Sequence, residues 1–175
     1  HPETVELTPE TRAEIIRIVI ARAETDKLTA AGVFSRGASA GALFNSRGLS
    51  AYHEETIAEF SVTMLGESSA GWAKQTSPNS MELAPIALAD RAARKALESR
   101  EPREILPGKY TVILEPAAVL DLLGFLFMDF GGLAVHEKRS CLTGRLGQKV
   151  FGENINVRDD VYHALQSGPP FDGEG

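Results

Sequence analysis

The segment Ile57–Leu65 reads IAEFSVTML, and it decides the fold of the surrounding chain. Ala58, Phe60, Val62 and Met64 would all lie on one side of a strand, because successive side chains of a strand point to opposite faces. The residues between them are mostly polar, so the pattern has a period of two. This period predicts a β-strand with one buried face.

Sequence rich in Gly, Ser, Thr and Ala surrounds this strand from residue 28 to residue 76. The stretch Asn45–Gly48 (NSRG) carries turn residues and predicts a tight hairpin. We expect an antiparallel meander of about four strands. The predicted extended segments are Ala31–Arg36, Ala40–Asn45, Leu49–Glu55, Ile57–Leu65 and Ala70–Thr76.

Two helices are predicted on either side of these strands. Thr8 can cap the first helix, with Pro9 at its first position, and the helix extends to about Asp26. The second covers about Met81–Ser99, although Pro85 obscures its start. The expected buried residues are Ile15, Ile16, Val19 and Ala23 with Ile18 at the margin in the first helix, and Ala84, Leu88, Ala92 and Leu97 in the second. The predicted fold class is α/β (α+β), an antiparallel sheet flanked by helices.

A linker at Glu101–Arg103 (EPR) predicts a domain boundary, because the residue before a proline disfavours helix. The predicted domains are 1–104 and 105–175. The second would open with a strand over Lys109–Leu114 and a helix over Ala117–Phe127. A longer helical stretch over Leu133–Phe151 and a short strand over Ile155–Arg158 would follow. The tail Ser167–Gly175 is rich in Gly and Pro, and we expect the polypeptide to continue beyond it.

The charge balance argues against nucleic-acid binding. The chain of 175 residues has a formal net charge of −6, whereas binding to phosphate backbones needs a surplus of Lys and Arg. One cysteine, Cys141, excludes an internal disulfide and suits a reducing compartment. No apolar run approaches the roughly 18 residues of a membrane span. The cytoplasm is therefore the expected location.

The stretch Val135–Cys141 (VHEKRSC) contains the most suggestive candidate for a metal site. His136, Glu137 and Cys141 could act as two ligands and a general base. Against this, the adjacent Lys138 and Arg139 would repel a cation. A solvated helix with a semi-buried cysteine explains the same residues, and this second interpretation is favoured.

Two weaker patterns have structural explanations. His53 is followed by Glu54 and Glu55, but on a strand only His53 and Glu55 share a face, so a surface cluster is the simpler interpretation. The stretch Gly37–Gly41 (GASAG) fits the G-x-S-x-G pattern of serine hydrolases. That motif requires a strand, a turn and a helix, whereas both flanks here are predicted strands.

Five segments resemble segments of the TldD/PmbA family, and they follow one another along the chain as they do in the family. Leu106–Pro116 (LPGKYTVILEP) looks like the family's P-G-x-Y-x-V-V-L-E-P strand, and Ser140–Val150 is similar to its S-x-L-x-G-K-L-G-x-x-V segment. The other three are Asn45–Leu49 (N-S-x-G), Val157–Asp160 (D-D) and Phe171–Gly175 (F-D-x-E-G). The resemblance covers about residues 29 to 175.

The resemblance implies a metallopeptidase system. TldD-type members carry an H-E-x-x-x-H helix just after the L-E-P strand, and this helix binds zinc. The matching place here, Leu120–Phe125 (LDLLGF), has neither His nor Glu. The resemblance therefore implies a PmbA/TldE-like chain that binds no metal and has no catalytic residue of its own. It would pair with a zinc-bearing TldD-like subunit in a heterodimer that processes peptides.

Other readings stay open at this point. The chain could be an autonomous metal-dependent peptidase that uses His136 and Cys141, or a peptide-binding scaffold without enzymatic activity. A strand edge within residues 28–76 could bind extended peptide. The family's older label, modulator of DNA gyrase, gains no support from the acidic composition. Because the family's C-terminal domain continues past this chain, we also expect exposed strand edges and self-association.

Overall fold

In the computed structural model, the structure describes residues 1–163 and 168–173. The chain forms two compact units, the first made of His1–Ile105 with Asp160–Gly175 and the second of Leu106–Asp159. Part of the predicted tail and of the Phe171–Gly175 match lies outside the described residues. The elements are α1 (Pro2–Val5), α2 (Pro9–Thr25), β1 (Thr29–Phe44), β2 (Ser50–Leu65), β3 (Ala70–Ser77), a 3₁₀ turn (Ser80–Glu82), α3 (Pro85–Glu98), α4 (Pro116–Phe127) and α5 (Gly132–His136).

Helix α2 begins as the sequence predicts. The Thr8 hydroxyl oxygen accepts a hydrogen bond from the Thr11 backbone N–H at 3.2 Å, and Pro9 occupies the first helical position. Backbone N–H groups at this helix start, together with the Thr8 hydroxyl, lower the pKa of the Glu10 carboxyl. The predicted capping of α2 is confirmed.

The buried stripe of α2 is narrower than predicted. Val19 and Ala23 are buried, and Ile15 packs against the core. Ile16 was expected to face inward but is 38% exposed, and Ile18, which was placed at the margin of the buried face, is 51% exposed. The reason is that α2 packs against α3 and against β1, which is the edge strand of the sheet in the described part of the chain.

The sheet is an antiparallel meander in the order β1-β2-β3, which confirms the predicted fold class. It has three strands among the described residues instead of the predicted four or so. Gly37–Ser39 was expected to separate two strands, but β1 continues through it, because the pairing with β2 is unbroken from Thr29↔Leu65 to Phe44↔Ser50. Non-local pairing overrides the weak local strand propensity of Gly and Ser here.

The turn between β1 and β2 is the predicted hairpin. The Asn45 side-chain oxygen accepts hydrogen bonds from the backbone N–H groups of Arg47 and Leu49, at 2.9 and 3.1 Å. Gly48 has φ of +92°, a left-handed conformation that glycine adopts at little cost. These contacts fix the register of the two strands.

One face of the sheet forms the core of the first unit. Ala58, Phe60, Val62 and Met64 are buried, as the alternation predicts, and Phe60 meets Phe34 edge to face with ring centroids 5.5 Å apart. Helix α3 covers β2 and β3. Its buried residues are Leu88, Ala89, Ala92, Ala93 and Ala96.

The small residues of α3 allow its backbone to approach β3 closely. A Cβ atom at Gly71 would lie 2.0 Å from the Ala92 carbonyl oxygen and 2.6 Å from the Ala96 nitrogen. Ala84 was predicted to be buried but is exposed, because α3 begins at Pro85 and Ala84 is only its N-cap. Leu97, also predicted to be buried, is half-buried at the end of the helix.

In the second unit, the predicted helix after Pro116 is present as α4, but the other predictions differ from the structure. No strand forms over Lys109–Leu114 or Ile155–Arg158. Ile113 is 99% exposed, so this stretch has no neighbouring strand to pair with. Alternating residues are not sufficient for a strand without a partner.

The helical stretch predicted over Leu133–Phe151 is also wrong in extent. Helix α5 covers only Gly132–His136, and turns follow it. Lys138, Gly144 and Gly147 have φ values of +60°, +73° and +79°, which a right-handed helix cannot accommodate. The helix therefore ends before Lys138, and the left-handed conformations of Gly144 and Gly147 prevent a helix from forming again after it.

Candidate functional site

His136 and Glu137 lie where α5 ends. His136 is its last residue, Glu137 is its C-cap, and Lys138 then turns away in the left-handed region. The Glu137 carboxylate accepts hydrogen bonds from the Arg139 guanidinium at 2.8 and 2.6 Å. This ion pair occupies the carboxylate that a metallopeptidase would use as general base.

Cys141 is held near Asp129. Its backbone N–H lies 3.4 Å from the Asp129 side-chain oxygen, and the Ser140 hydroxyl donates to the Asp129 carbonyl oxygen at 2.7 Å. Desolvation, followed by the hydrogen bond and the charge of Asp129, raises the pKa of the Cys141 thiol. A zinc ligand must be a thiolate, so these surroundings oppose metal binding by Cys141.

The residues present do not fit the zinc that the family implies. Within the two stretches that the structure describes, no group of three or more His, Cys, Asp or Glu side chains is arranged to hold a metal ion. His136, Glu137 and Cys141 are therefore not brought together as a ligand set. The prediction that this chain carries no catalytic residue stays a prediction.

Helix α4 occupies the place that the resemblance gives to the metal-binding helix, directly after Glu115. Its sequence is PAAVLDLLGFLF, in which Asp121 is the one ionisable residue. None of its residues is buried, and Leu120, Leu122 and Phe125 are exposed. An apolar helix of this kind normally packs against other protein surface.

The hairpin forms a second feature, which we call the β ribbon (residues 37–57). Because β3 pairs with β2 only as far as Ala58, the ribbon is two strands wide. The length of the β ribbon could not be predicted from the sequence, since no local signal shows that Gly37–Ser39 stays paired. The signal that could have revealed it is the matched length of the chain on both sides of the Asn45–Gly48 turn.

A groove of about 860 Å³ runs beside the β ribbon and α1. His53, Glu54 and Glu55 line it, together with Pro2 and Val5 of α1. The Tyr52 hydroxyl donates to the Glu54 carboxylate, and this hydrogen bond raises the pKa of Tyr52. These residues form a surface cluster, as the sequence indicated.

Ser39 also lies in this groove, in the middle of β1. Its hydroxyl donates to the Glu55 carboxylate at 3.3 Å. The residue is paired across the ribbon with Glu55 and is followed by more strand, not by a helix. The surroundings therefore lack the strand-turn-helix geometry of a hydrolase nucleophile.

Two family profiles match this chain. The PmbA/TldA metallopeptidase central domain matches residues 2–100, and the PmbA/TldA metallopeptidase C-terminal domain matches residues 107–175. The first alone covers more than half of the chain. The fold and the matches define an α+β protein with a three-stranded antiparallel sheet, and the chain belongs to the TldD/PmbA family.

Individual proteins are also similar to this chain in sequence or in fold. An uncharacterized protein of Methanocaldococcus jannaschii is 28% identical over 155 residues, which cover 87% of this chain and 36% of the relative. A proposed modulator of a DNA gyrase from Thermotoga maritima has the same fold, with a TM-score of 0.71 and 19% identity over 82% of this chain and 35% of that one. A proposed modulator of DNA gyrase from Bacteroides thetaiotaomicron also has this fold, with a TM-score of 0.70 and 20% identity over 83% of this chain and 35% of that one. This chain therefore spans about a third of the length of the relatives it matches.

None of the helices in the described part of the chain has the length and apolar character needed to cross a bilayer.

Proposed function

We propose that this chain is a PmbA/TldE-like subunit of a cytoplasmic metallopeptidase system that matures and degrades peptides. In this proposal it binds no metal itself and works with a TldD-like subunit that carries the zinc. The two subunits would form a heterodimer, and the substrate would be a peptide. Membership of the family supports the connection to peptidases.

The observation that carries the proposal is the composition of α4. In the zinc-bearing branch, the helix after the L-E-P strand supplies two histidines and a glutamate. Here the corresponding helix supplies only Asp121, and one carboxylate cannot replace three protein ligands around zinc. His136 and Cys141 offer no substitute, because the described His, Cys, Asp and Glu side chains are not grouped as a metal-ligand set and Glu137 is paired with Arg139.

Reconstitution with a TldD-like partner tests this function. The peptidase activity of the partner would be measured on a fluorogenic peptide with and without this protein, and zinc would be counted by elemental mass spectrometry. We expect activity only when both proteins are present, and zinc that stays with the partner. His136→Ala and Cys141→Ser should leave both readings unchanged.

The same experiment separates the alternatives. Zinc bound stoichiometrically to this chain alone, and lost in Cys141→Ser, would support an autonomous peptidase and contradict the proposal. Full activity of the partner in the absence of this protein would instead favour a scaffold with no role in proteolysis.

A further inference from the structure

Among the residues that the structure describes, strand β1 has a neighbouring strand on one side only, so half of its backbone groups point away from the sheet. In an antiparallel pair, alternate residues bond to the partner strand and the residues between them point outward. The backbone N–H of Asn45 donates to the Leu49 carbonyl oxygen at 3.2 Å, so position 45 is a bonded pair. Because the register is constant along β1, odd-numbered residues face β2 and even-numbered residues face outward.

A second, independent contact gives the same alternation. The guanidinium of Arg12 donates to the carbonyl oxygen of Phe34 at 3.0 Å, which is possible because that carbonyl points away from β2. Arg12 therefore closes one end of the outward edge. Towards the start of β1, the backbone groups of Ala30 and Gly32 point outward. The residues between and beside them, Ala31 and Val33, are exposed to solvent.

An apolar groove of about 320 Å³ lies beside this edge, between α2 and β1. Ile16 and Ile20 form the α2 side, and they are 38% and 44% exposed. Ala30 and Gly32 form the β1 side, with Phe60 beneath. The backbone of β2 requires glycine at position 32, because a Cβ atom there would lie 2.2 Å from the Ser61 carbonyl oxygen. Since Gly32 has no side chain, nothing at this position covers the β1 side of the groove.

The edge and the groove involve the same residues. Ala30 and Gly32 direct their backbone groups outward, and as even-numbered residues they share the helix-facing side with the buried Phe34. A strand added antiparallel to β1 would form a bonded pair with Gly32. Its residue opposite Gly32 would then direct its side chain to the helix side, over the groove.

We propose that this edge binds an extended peptide by adding it as a fourth, antiparallel strand, with an aliphatic side chain opposite Gly32 inserted between Ile16 and Ile20. This inference rests on the proposed function, because that function makes the occupant a peptide. It extends the function by assigning a subsite for one side chain of the peptide. Backbone hydrogen bonds give affinity along the edge, and the groove selects the apolar side chain. A charged side chain at that position is disfavoured, because the described lining of the groove contains no charged residue to pair with it and Ser61 is its one polar residue.

The test uses fluorescence anisotropy of the full chain with a labelled, capped heptapeptide of threonines around a central leucine. N-methylation of the leucine removes the donor that would face Gly32, and we expect it to weaken binding at least about tenfold. N-methylation of an adjacent threonine changes a donor that points away from β1, so binding should stay within about twofold. Equal effects of the two methyl groups would overturn the proposal.

Matched variants of α2 test the groove itself. Ile16→Asp and Ile20→Asp should each weaken binding of the leucine peptide at least about tenfold, because they place a charge in an apolar site. Ile18→Asp is the control, because Ile18 is 51% exposed on the same helix but does not line the groove. Loss of binding in Ile18→Asp alone, or unchanged binding in both groove variants with native circular dichroism, would contradict the assignment.

A second copy of this chain is the competing occupant of the edge. Sedimentation velocity would show it as self-association that the peptide does not reverse and that Ile16→Asp abolishes, and this result would overturn the proposal. The outcome is distinguishable from failure of the proposed function. If peptide binding fails while the reconstituted pair still needs this protein for activity, only the groove assignment is wrong.

Discussion

Gly71 shows how a single hydrogen atom determines the packing between α3 and β3. The Cβ of any other residue would collide with the backbone at Ala92 and Ala96, and backbone cannot move aside as a flexible side chain can. The buried alanines of α3 allow the same close approach, because larger residues would push the helix away from the sheet.

Gly71→Ala should therefore destabilise the protein by about 1–3 kcal/mol or more, the usual cost of overpacking a core. Chemical denaturation followed by circular dichroism measures the change in the free energy of unfolding. Gly41→Ala is the control, because a Cβ at Gly41 in the β ribbon meets nothing within 4 Å. A change in Gly71→Ala no larger than that in the control would refute the close approach.

The thiol of Cys141 gives a prediction that depends on pH. Because its pKa is raised, the reactive thiolate forms only at a pH above that of an ordinary thiol. Asp129→Asn removes a negative charge that favours the protonated form, so the pKa should fall and alkylation by iodoacetamide at pH 8 should be several-fold faster. A rate that is unchanged or slower in Asp129→Asn would show that Asp129 does not control the thiol.

At the scale of secondary-structure elements, the features that depend on residues close together in the sequence were predicted correctly. The cap at Thr8, the turn at Asn45–Gly48 and the alternation in Ile57–Leu65 could be predicted, because each depends on neighbours in sequence. The continuity of β1 and the irregular backbone over Lys109–Leu114 could not. Whether a strand forms there depends on a partner strand, and a single sequence does not show which segments pair.

The alternation of β1 predicts a pattern of hydrogen exchange. The amide hydrogens of Ala31 and Val33 are donated to β2, whereas those of Ala30 and Gly32 face outward. We expect the first two to exchange on the order of 100-fold more slowly than the other two, since exchange requires opening of the hydrogen bond. NMR after transfer into deuterated water measures the four rates, and uniform rates along β1 would contradict the assigned register.

At the scale of the whole molecule, the candidate site was less predictable than the fold. The resemblance to the family located the helix after Glu115. The charged residues next to His136 in the sequence indicated that its surroundings do not suit a metal ion. The sequence did not reveal the groove between α2 and β1. That groove arises because Ile16 and Ile20 flank Gly32 only after the chain has folded, and their helical spacing alone predicts burial.

The apolar surface of the second unit predicts self-association. Leu120, Leu122 and Phe125 are exposed on α4, and exposed apolar patches of this kind promote contacts between proteins. The double variant Leu122→Glu, Phe125→Glu should shift the chain towards monomer in sedimentation velocity at the same concentration. Identical sedimentation of the variant and the parent would show that α4 takes no part in such contacts.

The fixed register of the β ribbon limits how its length can change in evolution. A residue inserted into one strand alone would turn every later side chain to the opposite face, and it would move Phe60 out of the core or Tyr52 across the ribbon. Only matched insertions or deletions of two residues in both strands preserve the faces. Homologous ribbons should therefore differ in length in steps of four residues, with the turn residues at their tips retained.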